Sequence, residues 1–346
     1  MPRLVDRLPD GPLDLIGDVH GELEALLALL GRLGVDPERR RAHRPLVFVG
    51  DLIDRGPDSV GVVQLFAHLA DAGLAVAVAG NHELNLLCGE PKEGNGWFFG
   101  QPDGAWIDGH HHPFASRPAD AADRAFLRAR LGALPLALRR DDLQVVHACW
   151  DEAAIAALPA SGELGALSAG YAAAIDEDLG RRGIPEQAQA ERAAFAGLRD
   201  PRCVPDRHLS AVAIEDVAQQ RDNPVKLLTS GAEVEVGPGD HFYVGGKWRF
   251  VTRDRWWRRR EGRPTVVGHY WRRRGAPIPG KVDLWDDVGP FDWSGGVTCI
   301  DYSVGRRYAE RLRGRAAPFD GGLAALRWPE QVVVFDDRDG AVPMRA

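Results

Sequence analysis

The feature that most constrains this chain is a repeated local pattern: a short apolar run that stops at a polar side chain, in most cases after a glycine. Runs this short, rich in valine and bounded by glycine, predict buried β-strands. The predicted strands are Leu13–Ile16, Leu46–Val49, Leu74–Ala79, Leu143–Val146, Thr265–Val267, Val297–Ile300 and Gln331–Phe335. The last two end at Asp301 and Asp336.

Helical periodicity lies between the early strands. Apolar residues recur at helical spacing across Glu22–Leu33 and again across Ser59–Ala72. Alternation of strand and helix predicts parallel βαβ units and an α/β fold with central β-sheets flanked by helices. In such sheets a ligand site lies beyond the carboxyl ends of the strands, where the polar residues project.

The middle of the chain differs in composition. From about residue 151 to 220 it is rich in alanine, with helical stretches at Leu164–Leu179 and Pro185–Leu198, and from 225 to 263 it is rich in glycine and tryptophan. Strands of the same site lie on both sides of this region. We therefore expect one domain over residues 1–346, with Asp151–Arg263 as a helical and irregular cap or insertion within it.

Bulk properties narrow the class of protein. The 346 residues are 45% hydrophobic with a formal net charge of -7, so neither stable nucleic-acid binding nor binding to an anionic membrane is expected. Four scattered cysteines without a CxxC pair indicate neither a disulfide framework nor a cysteine zinc site. With no signal-like start and no apolar run of membrane length, we expect a cytoplasmic protein.

The polar residues at the predicted strand ends combine carboxylate, imidazole and amide ligands, which suit first-row divalent metals. They are Asp18, His20, Asp51, Asn81, His147 and His269. A single aspartate after a strand is more often a turn or a helix cap. Successive strand ends that all carry such groups instead predict a metal site.

Local spacing adds detail. In GDVHG, Asp18 and His20 are two residues apart, so an extended or turn backbone can direct both side chains at one ion. In GDLIDRG, Asp51 could bridge two ions while Asp54 and Arg55 face a substrate. In GNHE, an amide oxygen precedes His82, which stays available for proton transfer.

Five motifs in this order resemble the calcineurin-like metallophosphoesterases: GDVHG at 17–21, GDLIDRG at 50–56, GNHE at 80–83, VHA at 146–148 and VGH at 267–269. The sequence is most similar to the phosphoprotein phosphatase branch, which includes bacterial Ser/Thr/Tyr protein phosphatases and diadenosine tetraphosphatases. The segment GGLAALRWPE at 321–330 is similar to one near the end of the bacterial tetraphosphatases.

The resemblance implies a site with two divalent metal ions, Mn²⁺ in the first place, with Fe or Zn as alternatives. Asp18 and His20 would bind the first ion, Asp51 would bridge, and the second ion would take Asn81, His147 and His269. The implied catalytic residues are His82, Asp54 and Arg55, and the implied phosphate-binding residues are Arg55, Asn81 and His82. A metal-bound hydroxide would attack the phosphate in line, with His82, oriented by Asp54, as the general acid.

Two positions depart from the resemblance. The last motif reads GHYW, so Trp271 occupies the place where many enzymes outside this branch carry another histidine ligand. After VHA the chain continues with Cys149 and Trp150 where the family usually has a glycine. The first departure favours the phosphoprotein phosphatase branch.

Two further segments leave their roles open. Lys247–Gly275 carries many arginines and tryptophans around His269. Its arginines are either a charged surface paired with acidic residues or a funnel for anionic substrates, and its tryptophans either stack on a ligand or form the body of the cap. The run His110–His112 is expected to be a surface loop.

The preferred function is a phosphate monoesterase of the protein phosphatase type, acting on a phosphorylated protein. One alternative is a phosphoanhydride hydrolase of the diadenosine tetraphosphatase type, acting on a nucleotide. Another is a non-catalytic metal-binding scaffold, although Asp54, Arg55 and His82 are all present. A cysteine-nucleophile phosphatase is disfavoured, because no cysteine has a suitably spaced arginine.

Overall fold

The structure is a computed structural model that describes residues 1–107, 110–195, 197–244, 246–275 and 284–345. Its strands, numbered along the chain, are β1 (Val5–Arg7), β2 (Leu13–Ile16), β3 (Leu46–Phe48), β4 (Ala75–Ala77), β5 (Gly104–Ile107), β6 (His110–Pro113), β7 (Ala137–Arg140), β8 (Leu143–Val146), β9 (Glu233–Glu235), β10 (Phe242–Val244), β11 (Lys247–Arg249), β12 (Val251–Arg253), β13 (Thr265–Val267), β14 (Val297–Cys299), β15 (Ala324–Trp328), β16 (Val332–Phe335) and β17 (Ala341–Pro343).

The helices lie between these strands. They are α1 (Leu23–Leu33), α2 (Ser59–Asp71), α3 (Asn81–Leu87), α4 (Gly96–Phe99), α5 (Ala121–Leu131), α6 (Glu152–Ala157), α7 (Leu164–Arg181), α8 (Ile184–Ala194), α9 (Ser210–Arg221), α10 (Pro224–Ser230) and α11 (Arg307–Leu312), with short 3₁₀ turns at Trp256–Arg259 and Val304–Arg306.

The strands form two main sheets. One has six strands in the order β17-β16-β15-β2-β3-β4, and the other has five in the order β1-β7-β8-β13-β14. Strands β2, β3 and β4 run parallel, as do β8, β13 and β14. Parallel neighbours end at the same edge of a sheet, so the predicted ligand-bearing strand ends come together as expected.

Alternation along the strands divides the core into layers. Val47 packs with Val145 and Val266 between the two sheets, whereas Leu46 and Phe48 on either side of it face the helices. Side chains alternate along a strand, so one strand contributes to both layers. Central sheets with helices packed on them are the fold class predicted from sequence, and this prediction is confirmed.

The two helices predicted near the start of the chain are present as α1 and α2. Helix α1 ends at Gly34, which adopts the left-handed conformation with φ 75° that a glycine reaches without steric cost. Helix α2 begins after Asp58, whose side chain accepts a hydrogen bond from the Gly61 amide. Within α1, Leu27 is 47% exposed, whereas Leu29 is buried in the core.

The region from 151 to 263 contains α6 to α10 and two antiparallel strand pairs, β10–β11 and β12–β9. It has a small apolar core of its own around Leu209 and Phe250. Residues near both of its ends instead belong to the main core, among them Ile155, Leu228 and Trp257. The single-domain organisation with an insertion remains a proposal.

The run His110–His112 was expected in a loop, but the structure places it in β6, which pairs with β5 in an antiparallel hairpin. The three side chains are exposed or half-buried, as expected for a surface segment. Within the described residues no helix is both long enough and apolar enough to cross a membrane.

Candidate metal centre and active site

The six predicted ligands lie where the carboxyl ends of strands from both sheets come together. Asp18 and His20 follow β2, Asp51 follows β3, Asn81 begins α3 after β4, and the two remaining histidines follow β8 and β13. Asp18, His20, Asp51 and His147 are buried. Strand ends distant in sequence thus deliver ligand atoms to one small volume.

The first group of ligand atoms lies around His20. Its Nε2 is 3.9 Å from Asp18 Oδ2 and 3.8 Å from Asp51 Oδ2. His20, Asp51 and His82 offer ligand atoms that all lie within 4.8 Å of one another. This separation allows one cation to contact several of these atoms.

The second group shares Asp51 with the first. His147 Nε2 lies 3.2 Å from Asp51 Oδ2 and 3.3 Å from Asn81 Oδ1, and His269 Nδ1 lies 2.7 Å from the same amide oxygen. Asp51, His147 and His269 also meet the geometric condition for a shared ion. One carboxylate common to two ligand groups is what a bridging role requires.

Backbone carbonyls fix how two of these imidazoles face the site. His20 Nδ1 is 3.2 Å from the Ile53 carbonyl oxygen, and His147 Nδ1 is 2.7 Å from that of Val49. A carbonyl can only accept, so each Nδ1 carries the proton and donates it. In each ring Nε2 is then the nitrogen that faces Asp51, and it is the one that would bind a cation after giving up any proton it carries.

The electrostatics of the cluster favour a bound cation. Burial, followed by the nearby charge of Asp301, raises the pKa of Asp18 well above its usual value, and Asp18 Oδ1 is buried without a hydrogen-bond partner. Burial lowers the pKa of His147, but Asp51 and Asp18 outweigh it and raise this pKa to about 10. A buried, unpartnered carboxylate oxygen among acidic neighbours is a fitting ligand for a divalent ion.

Backbone conformation at the site is unusual. His20, Asp51, Asp54, Arg55 and His269 all have positive φ, between 48° and 77°. Non-glycine residues rarely adopt this region, and each such residue costs of the order of 1–3 kcal/mol. Its concentration at the strand ends indicates turns held by the surrounding contacts to direct side chains inward.

Asp54 and His82 form a buried pair beside the ligand groups. His82 Nδ1 is 2.6 Å from Asp54 Oδ2, and Trp97 Nε1 donates to Asp54 Oδ1 at 2.9 Å. Burial raises the pKa of Asp54 and is countered by His82 and Trp97. His82 Nε2 remains directed at the ligand cluster, 3.9 Å from Asp51 Oδ2.

Arg55 lies at the open side of the cluster. Its Nη1 is 2.9 Å from His20 Nε2, and its guanidinium lies 4.8 Å from the centre of the Trp271 ring. Trp271 thus makes a cation–π contact beside the site, in the position where it cannot be a metal ligand. The guanidinium is half-buried, which leaves it within reach of a substrate anion.

Two residues essential to this arrangement were not singled out from the sequence. Glu83 accepts hydrogen bonds from the amides of Asp51, Leu52 and Gly80, which ties the ends of β3 and β4 together. Burial and then the charge of Asp51 raise its pKa to about 7. Its position inside GNHE was an available signal. No sequence signal pointed to Trp97, because it follows a loop that shows no periodicity.

Most arginines around His269 are paired with acidic residues or with the backbone. Arg255 and Arg258 contact Asp286 and Asp287, Arg259 contacts Asp254, Arg272 donates to backbone carbonyls inside the protein, and Arg274 contacts Asp337. Trp256 and Trp257 are buried. These contacts fit the paired-surface interpretation of the arginines, and the burial of the two tryptophans fits the cap-body interpretation.

Fold and site together define a two-sheet α/β protein with paired metal-ligand groups at its strand ends. Residues 11–145 match the family model of the calcineurin-like phosphoesterases.

Among curated proteins, an asymmetrical bis(5'-nucleosyl)-tetraphosphatase PrpE of Oceanobacillus iheyensis is 46% identical over 74 residues, which are 20% of this chain and 30% of that protein. A symmetrical bis(5'-nucleosyl)-tetraphosphatase of Ralstonia nicotianae is 35% identical over 144 residues, which are 40% of this chain and 47% of that protein. The matches thus span less than half the length of either relative.

Among solved structures, a cold-active protein-tyrosine phosphatase of a psychrophilic Shewanella species is similar with a TM-score of 0.45 and 15% identity, over 99% of this chain and 82% of that chain.

Proposed function

We propose that this protein is a metal-dependent phosphatase that hydrolyses phosphate monoesters at the cluster around Asp51. The observation that carries the proposal is the sharing of Asp51 between two ligand groups, beside a buried carboxylate oxygen of Asp18 that has no partner. The family match over residues 11–145 supports the same chemistry.

Two divalent ions would be held by this donor set. Asp18, His20 and Asp51 would bind one, and Asp51, Asn81, His147 and His269 the other, with Mn²⁺ as the first choice and Fe or Zn as alternatives. When bound, the ions would polarise the phosphoryl group, neutralise its charge and activate water.

The remaining chemistry belongs to side chains of the chain itself. Arg55 would bind phosphate oxygens with its planar guanidinium. Its contact with His20 Nε2 would be lost once that nitrogen binds a cation, and this would free the guanidinium for the phosphate. His82 would deliver a proton from Nε2 to the leaving oxygen, with Asp54 holding its Nδ1. Asn81 and His82 would also contact the bound phosphate.

The test is hydrolysis by purified protein after chelation and reconstitution with Mn²⁺, Fe²⁺ or Zn²⁺, using p-nitrophenyl phosphate and phosphopeptides. We expect turnover that is lost on chelation and restored by at least one metal. Binding of metal without hydrolysis of any phosphoester would leave the protein a metal-binding scaffold and refute the proposal.

A second candidate is hydrolysis of a phosphoanhydride bond in a nucleotide. It is favoured by the names of the two curated relatives, both bis(5'-nucleosyl)-tetraphosphatases. Specificity constants for a phosphotyrosine peptide, a phosphoserine peptide and diadenosine tetraphosphate, measured on one preparation, distinguish the candidates. A preference for the nucleotide would replace the phosphoprotein substrate in the proposal.

The proposal includes a cytoplasmic location and a phosphorylated protein or nucleotide as the only expected partner. Cys88, Cys149, Cys203 and Cys299 are unpaired, which supports a reducing compartment.

A further inference from the structure

Trp271 lies in the turn that follows His269, and its indole ring borders the proposed phosphate site. The guanidinium carbon of Arg55 is 4.8 Å from the centre of this ring, and that of Arg306 is 4.5 Å from it. Trp271 has a positive φ of 48°, a conformation that is strained for a bulky residue. Surrounding contacts must therefore hold the turn in this shape.

The main support of the turn is Asp301, a buried carboxylate beyond β14 that has no role in the proposed reaction. Its Oδ2 accepts the amide of Trp271 at 2.9 Å, and its Oδ1 accepts the amide of Ser303 at 2.8 Å. The carbonyl of Asp301 accepts the amide of Arg272 at 2.8 Å. The chain end of β14 therefore fixes the turn that follows β13.

The same stretch of chain, residues 301–306, also packs against the first group of ligands. A Cβ added at Gly305 would lie 2.5 Å from His20 Cδ2, so the backbone lies directly against that imidazole. One residue further on, Arg306 places its guanidinium at the Trp271 ring. The indole is thus fixed through its own backbone and contacted by the segment that fixes it.

Arg55 has no strong polar partner other than His20 among the residues that the structure describes. Its Nη1 lies 2.9 Å from His20 Nε2, and this contact would be lost once that nitrogen binds a cation. An arginine side chain that no neighbour holds loses conformational entropy when it binds a ligand, which weakens binding. The indole of Trp271 is the described neighbour that can limit this loss when metal is present.

An aromatic ring can hold a guanidinium without using its hydrogen-bond donors, because the positive charge is attracted to the negative face of the ring. A carboxylate partner would instead accept from the N–H groups and compete with a phosphate. Arg307 shows that alternative, since both of its terminal nitrogens donate to Asp336. The contact with Trp271 leaves the donors of Arg55 available.

We propose that Trp271 is a positioning residue for Arg55: its ring holds the guanidinium in place for the phosphate group and leaves the N–H donors free. Asp301, which binds the amide of Trp271, holds the ring in turn. This inference rests on the proposed function for the role of Arg55 in binding phosphate. It gives a role to two residues that lie beyond the family match over residues 11–145.

The test measures binding of inorganic phosphate by calorimetry, using Mn²⁺-loaded protein from which excess metal has been removed. Trp271→Leu and Trp271→Met both remove the ring and keep an apolar side chain. We expect phosphate to bind these two variants about tenfold more weakly than the wild type, in line with the loss of one partly buried cation–π contact. Trp271→Phe keeps an aromatic face and should stay within about threefold of the wild type.

The decisive comparison repeats the measurement in Arg55→Ala. In that background Trp271→Leu should change phosphate affinity by less than about twofold, because the ring no longer has a guanidinium to hold. Trp106→Leu is the matched control: Trp106 lines the same cleft of about 750 Å³, is 74% exposed, and should keep the wild-type affinity. Circular dichroism verifies the fold of each variant, and mass spectrometry verifies its metal content.

Wild-type phosphate affinity in Trp271→Leu and Trp271→Met would overturn the inference, and so would an equal loss with and without Arg55. Loss of bound Mn²⁺ in these variants would make Trp271 a support of the metal ligands and would also overturn it.

Hydrolysis of p-nitrophenyl phosphate by the wild type separates this inference from the proposed function. Coupling between Trp271 and Arg55 in a protein that hydrolyses no phosphoester refutes only the proposed function. Hydrolysis without that coupling refutes only the inference, and a wild type that binds no phosphate contradicts both.

Discussion

At the scale of single residues, the buried pair of His82 and Asp54 supports the proposed proton transfer. The imidazole Nδ1 lies 2.6 Å from the carboxylate, and Trp97 holds the other carboxylate oxygen. The other ring nitrogen, Nε2, is directed at the ligand cluster, 3.9 Å from Asp51 Oδ2. This orientation is the basis of the proposal that His82 acts on the leaving group.

His82→Ala should lower turnover on an alkyl phosphate by about 10²–10⁴-fold, because an alkoxide leaves poorly without a proton donor. The loss should be much smaller on p-nitrophenyl phosphate, whose leaving group needs little protonation. Metal content, measured by mass spectrometry of the purified variant, should stay at the wild-type value. Loss of metal in this variant would make His82 a ligand, as its distance to Asp51 also permits.

Glu83 has a structural function next to that chemistry. Its carboxylate accepts three backbone amides in the interior, from Asp51, Leu52 and Gly80. Glu83→Gln replaces one acceptor oxygen by a donor that faces an amide N–H, so we expect a loss of about 1–3 kcal/mol in the free energy of unfolding. Denaturant titration measures it. Glu90→Gln, at a side chain that is 43% exposed, is the matched control and should change stability little; an equal loss in both variants would contradict this function.

At the scale of elements, the strand ends work because glycines let them approach one another. A Cβ added at Gly268, just after β13, would lie 2.0 Å from Asp18 Oδ1, and one at Gly80 would lie 2.2 Å from Asp51 Oδ1. Glycine at these positions is therefore a requirement of ligand packing as well as of the turn. These close approaches explain why the strand-end motifs carry glycine at these two positions.

Gly268→Ala should weaken metal binding at least about tenfold, since Asp18 must move to accommodate the methyl group. The opposite outcome is expected for Gly170→Ala in helix α7, where an added Cβ meets nothing within 4 Å. That variant should gain roughly 0.5–1 kcal/mol in stability and bind metal normally. Metal titration followed by calorimetry, together with thermal unfolding, distinguishes the two.

Much of the element layout follows from the sequence, and the reasons are local. Short, mostly apolar runs that end at a glycine or a histidine predict β2, β3, β8 and β13, because burial on both faces makes a parallel strand nearly continuously apolar. The hairpin at His110–Pro113 was missed, since three histidines and a proline carry no strand alternation. Trp97 was missed because its contact with Asp54 joins residues 43 positions apart and depends on tertiary packing.

At the scale of the whole molecule, part of the region from 151 to 263 forms small cores of its own and part belongs to the main core. Phe250 packs with Leu209 and Ala213 in the small core, whereas Leu228 and Trp257 belong to the main one. We therefore expect helices α8 and α9 to unfold together while the two main sheets stay folded. The ligand-bearing strands all lie outside this unit.

Phe250→Ala removes the largest side chain of the small core, and a cost of about 3–5 kcal/mol is usual for such a truncation. Because that core is local, hydrogen exchange should accelerate in α8, α9 and β12 while protection in β2, β3 and β13 stays at its wild-type level. Phe48→Ala, in the main core, is the comparison and should reduce protection throughout. Uniform acceleration in Phe250→Ala would mean that the region is not a separable insertion.

The central claim is that Asp51 joins two metal sites, and the number of ions bound per chain tests it most directly. Mass spectrometry of protein reconstituted with Mn²⁺ should find two ions in the wild type, about one in Asn81→Ala, and none or nearly none in Asp51→Asn. One ion in the wild type, or two retained in Asp51→Asn, would contradict the account.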